Sequence, residues 1–130
     1  MKLTILVPVY NEENTIKTVL TKLLSVRLPW KKEIIIIDDG STDDTRSILR
    51  NFQKRSRDTI KNIRHRVNQG KGKALQSGIV EATGDYILIQ DADLEYNPEE
   101  IRKLLQPLLK RKKSKNVAVY GSRFKYKKFG

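Results

Sequence analysis

Residues 85–95 read DYILIQDADLE. A short apolar, β-favouring run ends in Asp91, Asp93 and Glu95, each two residues from the next. A run of this length with polar flanks suits a buried strand, and alternate residues of an extended segment point the same way. The stretch therefore reads as a strand that presents carboxylates toward one point. The same grammar recurs along the chain. LTILVPVY (3–10) runs into NEE, EIIIID (33–38) runs into DDGS, and NVAVYG (116–121) runs into GSR. IKNIRHRV (60–67) is a weaker strand, of the kind found at a sheet edge.

Helical patterns fill the gaps. Ile16, Val19, Leu20, Leu23 and Leu24 form one apolar stripe, with Asn11 as the expected cap and Glu12 and Glu13 at the positive end. Ile48, Leu49 and Phe52 form a second stripe, after a turn in which Ser41 or Thr42 is the expected cap. NQGKGKALQSGIVEATG (68–84) is a Gly-rich turn feeding a helix, with Gly84 as its expected stop. Asn97 and Pro98 open a last helix carrying Ile101, Leu104, Leu105, Leu108 and Leu109, which Pro107 is expected to kink or shorten. Trp30, beside Pro29, reads as packing. Alternating β and α units with apolar strands predict an α/β fold, a mainly parallel sheet with helices on both faces. Ligands of such sheets bind beyond the carboxyl ends of the strands. NEE, DDGS, DADLE and GSR should all meet there.

The chain has 130 residues, enough for one domain with a real core. With no cysteine, it has neither disulfides nor zinc–thiolate sites. MKLTILVPVYNEE does not read as a signal peptide, and no apolar run is long enough for a membrane span. Residues 1–100 hold 16 Lys/Arg against 15 Asp/Glu, whereas residues 101–130 hold 11 Lys/Arg and no acid. Such a block is a solvated face or an electrostatic handle for anionic surfaces.

Oxygen donors at alternate positions, without cysteine or clustered histidine, suit a hard cation, Mg²⁺ or Mn²⁺, of the kind that shares its shell with substrate phosphates. The candidate ligands are Asp91, Asp93 and Glu95, near a second acidic turn at Asp38 and Asp39. Gly70 and Gly72 before a helix start, with Lys71 and Lys73, suit an anion. GKGKAL is neither a Walker loop nor a GxGxxG turn, because Leu75 stands where the third glycine belongs. His65 has no evident partner in the sequence.

VPVYNEE, IIDDGSTDDT, NQGKGKAL, GDYILIQDADLEYNPEEI and VYGSRF resemble, in this order, the motifs of family 2 glycosyltransferases of the GT-A fold. The resemblance is nearest to polyprenyl-phosphate and dolichyl-phosphate mannosyl- and glucosyltransferases. It implies a donor domain over residues 1–124 and a basic tail over 125–130. It implies that Pro8, Tyr10 and Glu12 line a nucleotide pocket, with Ile37 and Asp39 on the base side. Asp91 and Asp93 would be the DxD pair with Ala92 against the nucleotide, and Arg123 would approach the diphosphate or sugar. Lys71 joins this set as an anion contact, and Asp91, Asp93 and Arg123 would serve the reaction directly. The implied partners are GDP-mannose or UDP-glucose, a polyprenyl phosphate acceptor and the cytoplasmic face of an anionic membrane. The implied chemistry is transfer with inversion. Family members continue beyond the GSR element with the acceptor side, so this chain is expected to bind donor better than it transfers sugar. Two other readings compete: a non-catalytic donor-binding subunit, and a nucleic-acid module using the basic third. Against the latter stands the acidic rim, which repels phosphate unless a metal intervenes.

Overall fold

A computed structural model describes residues 1–92, 98–109, 117–120 and 126–128. The elements run β1 (Lys2–Val9), α1 (Ile16–Ser25), β2 (Lys31–Asp39), α2 (Thr45–Arg55), β3 (Ile60–His65), α3 (Lys71–Glu81), β4 (Tyr86–Ile89), α4 (Pro98–Leu109), β5 (Val117–Tyr120) and β6 (Tyr126–Lys128). They build one sheet in the order β3-β2-β1-β4-β5-β6. The first five strands are parallel, and β6 pairs antiparallel with β5. β3 lies at the edge, as its weak pattern implies. The sequence pattern ends at β5 and leaves it an open edge; β6 instead lies along it, with Val119 opposite Tyr126. The strand is short and basic, so no apolar periodicity announces it.

The strand interiors explain the layering. Ile34, Ile35, Ile36 and Ile37 are all fully buried, because both faces of β2 are covered. Ile34 and Ile36 face a large cluster with Ile16, Val19, Leu20 and Leu23 of α1, Leu49 and Phe52 of α2, and Ile101 and Leu105 of α4. Ile35 and Ile37 face the other way, with Leu6, Ile89 and Ala74 of α3. Helix α3 approaches closely because Gly78 has no side chain: a Cβ there would sit 2.8 Å from Ile37 Cδ1. Trp30 is 8% exposed and stacks on Tyr86 at 5.0 Å between centroids, so it packs as expected.

Three capping expectations fail, for one reason: the expected caps take hydrogen-bond partners across loops rather than along their own. Helix α1 begins at Ile16 after Thr15, not at Asn11. Asn11 takes a left-handed φ of 50°, tolerable for asparagine. Its Oδ1 accepts from the N–H of Thr42 at 2.8 Å. Helix α2 is preceded by Asp44, while Ser41 Oγ accepts from the N–H of Asn11 at 2.9 Å. Helix α3 ends at Glu81 with Ala82 already extended, ahead of Gly84. Gly84 instead donates its N–H to Thr4 Oγ1 at 2.9 Å. Helix α4 continues through Pro107 to Leu109. Lys32 terminates α1 by donating to the carbonyls of Leu23, Leu24 and Val26, a cation at the negative helix end; loss of water holds its ammonium below the ordinary value.

Candidate functional site

Strand order reverses at β1, which has β2 on one side and β4 on the other. A crevice must open beyond the carboxyl ends of the strands at such a point. Here it is a cleft of about 400 Å³ lined by Pro8, Tyr10 and Glu12 after β1, Asp39 after β2, Gly70 and Lys71 at the start of α3, and Asp91 after β4. Val9, Asn68, Ala74 and Ala92 complete it. That volume suits a nucleotide-sized ligand.

Backbone donors and short side chains stitch the rim loops together. The N–H of Glu12 donates to Thr45 Oγ1 at 2.9 Å, and the N–H of Asp44 donates to Glu13 Oε2 at 3.0 Å. Thr15 Oγ1 lies 3.0 Å from Glu12 Oε2 and 2.9 Å from the Ala92 carbonyl, and its one proton serves either acceptor. The loops after β1, β2 and β4 are thus held in mutual register. Tyr10 is 46% exposed and lines the cleft, to which it brings a flat, largely apolar ring.

Asp39 is the most constrained group in the site. Its Oδ1 accepts from the N–H of Gln69 at 2.9 Å and lies 2.8 Å from His65 Nδ1. Its Oδ2 accepts from the N–H of Gly70 at 2.9 Å. Burial alone would raise this carboxyl, but the bonds from Gln69, His65 and Gly70 outweigh it and leave the pKa lowered. An ionised carboxylate cannot donate, so His65 carries its proton on Nδ1; its Nε2 lies 2.8 Å from Ser77 Oγ. His65 therefore ties β2 to α3, a role invisible in sequence. We expect His65→Ala to cost on the order of 1–3 kcal/mol in urea denaturation. His65→Asn, whose amide can replace Nδ1–H, should restore most of it. A loss equal in both variants would show that packing, not the Asp39 bond, sets the effect.

The expected residues divide as follows. Pro8, Tyr10, Glu12, Asp39, Lys71, Asp91 and Ala92 share the cleft. Ile37 does not line it; fully buried beside Leu6 and Ala74, it supports the floor from below. Asp93, Glu95 and Arg123 lie outside the described residues. Asp91 pairs with Lys71, Nζ to Oδ1, at 2.5 Å. This is a hard oxygen donor, partly open to solvent, beside a cation that also faces the cleft. The pair fits a site shared by a divalent ion and phosphate oxygens, although among the described residues no three acidic or histidine side chains gather at one point. Val9, Asn68 and Ala74 lie within the VPVYNEE and NQGKGKAL stretches, but nothing there singled them out; the fold brings them to the cleft.

The chain can be set beside known proteins. Over 84 residues it is 43% identical to the poly-β-1,6-N-acetyl-D-glucosamine synthase of Staphylococcus epidermidis, covering 65% of this chain and 20% of that protein. Over 107 residues it is 34% identical to the undecaprenyl-phosphate 4-deoxy-4-formamido-L-arabinose transferase of Photorhabdus laumondii, covering 81% and 33%. Among solved structures, the mannosyltransferase PcManGT from Pyrobaculum calidifontis in complex with GDP-Man and Mn²⁺ matches with a TM-score of 0.70 at 26% identity, covering 79% of this chain and 31% of that one. The chain thus spans between a fifth and a third of the length of these relatives. The architecture is the GT-A type of nucleotide-sugar transferases. The family described as glycosyl transferase family 2 matches residues 4–129, and this chain belongs to it.

Proposed function

We propose that this chain forms the donor-binding part of a divalent-metal-dependent glycosyltransferase that moves a hexose from GDP-mannose or UDP-glucose to a polyprenyl phosphate with inversion. The carrying observation is one cleft at the switch point of the sheet. There Tyr10, the Asp39-anchored turn, the start of α3 with Lys71, and Asp91 meet.

In this reading Tyr10 stacks on the base. Asp39 holds the turn that forms the base-side wall. The free N–H groups at the start of α3 and the Lys71 ammonium receive diphosphate oxygens. Lys71 exchanges Asp91 for phosphate as donor arrives. Asp91, with Asp93 and Glu95, would hold Mg²⁺ or Mn²⁺, which when bound would offset charge on the leaving diphosphate. Arg123 adds a cation to the same group. The acceptor phosphate attacks the anomeric carbon opposite the leaving group; the new C–O bond forms as the bond to the diphosphate breaks. An acceptor that is already an anion needs no general base. Lys110, Arg111, Lys112 and Lys113 would draw the protein to the cytoplasmic face of an anionic membrane, where such an acceptor lies.

The test is calorimetry with GDP-mannose, UDP-glucose and UDP-GlcNAc, each with and without Mn²⁺. We expect binding that requires Mn²⁺ and weakens at least about tenfold, ~1.4 kcal/mol, in Asp93→Ala. Full affinity in EDTA, or in Asp93→Ala, would remove the metal from the reading. Absence of binding by any of the three would remove the reading itself.

A further inference from the structure

A second cavity, of about 160 Å³, opens between α2 and β3 and is lined by Asp38, Arg46, Arg50, Asn62 and Arg64 among others. It lies on the opposite face of β2 from the donor cleft. Asp38 follows Ile34 and Ile36 on the α2 side, whereas Asp39 follows Ile35 and Ile37 on the α3 side. The register sets Arg64 directly beside Asp38, and Asn62 beside Ile36.

Three features there do not serve the fold. First, two residues that line the cavity each carry a buried acceptor without a partner among the described residues, Asp38 Oδ2 and Asn62 Oδ1. Asp38 is 2% exposed, and only its Oδ1 is used, by the N–H of Ser41 at 3.0 Å. Asn62 cannot turn its amide round, because Nδ2 already donates to the Leu49 carbonyl at 3.0 Å and to Gln53 Oε1 at 3.1 Å. Unpaired buried acceptors are costly, so each wants an O–H or N–H donor. Second, Arg46, Arg50 and Arg64 crowd the same mouth, and none forms an ion pair among the described residues. Loss of water, then the like charges of Arg50 and Arg64, hold the Arg46 guanidinium below its ordinary value, with Asp38 opposing. Third, the positive face continues. Arg50, Lys54 and Arg57 line an adjoining surface depression, and Arg46, Arg50 and Lys54 recur at helical spacing along α2, with Arg57 just past its end. Like charges so spaced weaken a helix.

We propose that this cavity is a binding site, separate from the donor cleft, for a small phosphorylated polyol. Its phosphate lies on Arg46, Arg50 and Arg64, and its hydroxyls donate to Asp38 Oδ2 and Asn62 Oδ1. Guanidinium forks match phosphate oxygens, while the orphaned acceptors demand donors that a bare phosphate dianion lacks. The ligand would also steady Asp38, whose neighbour Asp39 anchors the donor cleft.

The experiment follows backbone amide shifts of the ¹⁵N-labelled chain during titration with sn-glycerol 3-phosphate, inorganic phosphate and glycerol. We expect saturable shifts on α2 and β3 with glycerol 3-phosphate, and inorganic phosphate and glycerol each weaker by at least about threefold. Arg46→Gln/Arg64→Gln should weaken glycerol 3-phosphate at least about tenfold. Its own spectrum reports that it is folded. Equal affinity for inorganic phosphate would overturn the polyol assignment. Shifts confined to the cleft around Lys71, affinity unchanged in the double variant, or no saturation would overturn the site. Vesicles of phosphatidylglycerol in phosphatidylcholine separate the two sources of this chemistry. Binding lost in the double variant assigns a lipid headgroup, and indifference alongside glycerol 3-phosphate binding assigns a soluble ligand.

Discussion

Asp39→Ala is expected to lose about 3 kcal/mol of stability and to abolish ordered donor binding. The side chain is almost wholly buried and accepts from His65 at the end of β3 and from Gln69 and Gly70 in the connection to α3. Hydrogen bonds to a charged group contribute about 1.5–3 kcal/mol each, but the freed N–H groups of Gln69 and Gly70 can reach water, which limits the loss. Without the carboxylate the start of α3 is unmoored, and Lys71 with it. Donor affinity should fall by more than about tenfold even though Asp39 need not touch the donor. The pH dependence has a definite sign. A pKa lowered from 3.8 means that the bonds to Asp39 stabilise the fold above that value, and that this contribution disappears as pH falls through the folded-state pKa. In urea titrations the wild type should therefore exceed Asp39→Asn at pH 7, and the gap should narrow only as pH falls below 3.8. A gap independent of pH would show that the charge of Asp39 is not what holds the turn.

Gly40→Ala should be comparably severe, through the same junction. Gly40 has φ of +79°, where a Cβ costs roughly 1–2 kcal/mol. Crowding costs more than this backbone strain. An added Cβ would lie 2.5 Å from the Asn68 nitrogen and 2.6 Å from the Val67 carbonyl carbon. Both are main-chain atoms, so no rotamer relieves the contact. The turn after β2 must move away from residues 67–70, which stretches the bonds from Gln69 and Gly70 to Asp39. We expect a loss of at least ~3 kcal/mol in urea denaturation, beyond the usual range for one substitution, with donor binding lost in parallel. Gly72 is the control. It lies in α3, and nothing stands within 4 Å of its Cβ position, so Gly72→Ala should be neutral or stabilising by about 0.5–1 kcal/mol. A Gly40→Ala variant as stable as Gly72→Ala would mean that the two turns are not in contact.

The isoleucine run in β2 and the stripe of Ile16, Val19, Leu20 and Leu23 were legible because periodicity is a local property. Each needs only its own segment and a core to face. The acidic ends of the strands were legible as a site because parallel topology places every carboxyl end on one rim, so Asp39 and Asp91 could be paired before any contact was known. β6 was not legible: three residues of Tyr-Lys-Lys carry no pattern, and only the open side of β5 gives them a partner. The caps failed at Asn11, Ser41 and Gly84 because a short polar side chain or a turn N–H has many possible partners. Which one it takes depends on loops about 30 to 80 residues away. His65 shows the same limit. In the sequence it is one histidine among basic neighbours, and the fold sets it between Asp39 and Ser77. By itself the sequence determined the succession of elements from β1 to β5, the layers and the chemistry at the rim, since these follow from local patterning and chain direction. Tertiary structure alone decided which carboxylate is a tether and which is open to ligand, because a hydrogen bond is chosen by distance in space, and residues 39, 65, 70 and 77 become neighbours only when β2, β3 and α3 pack.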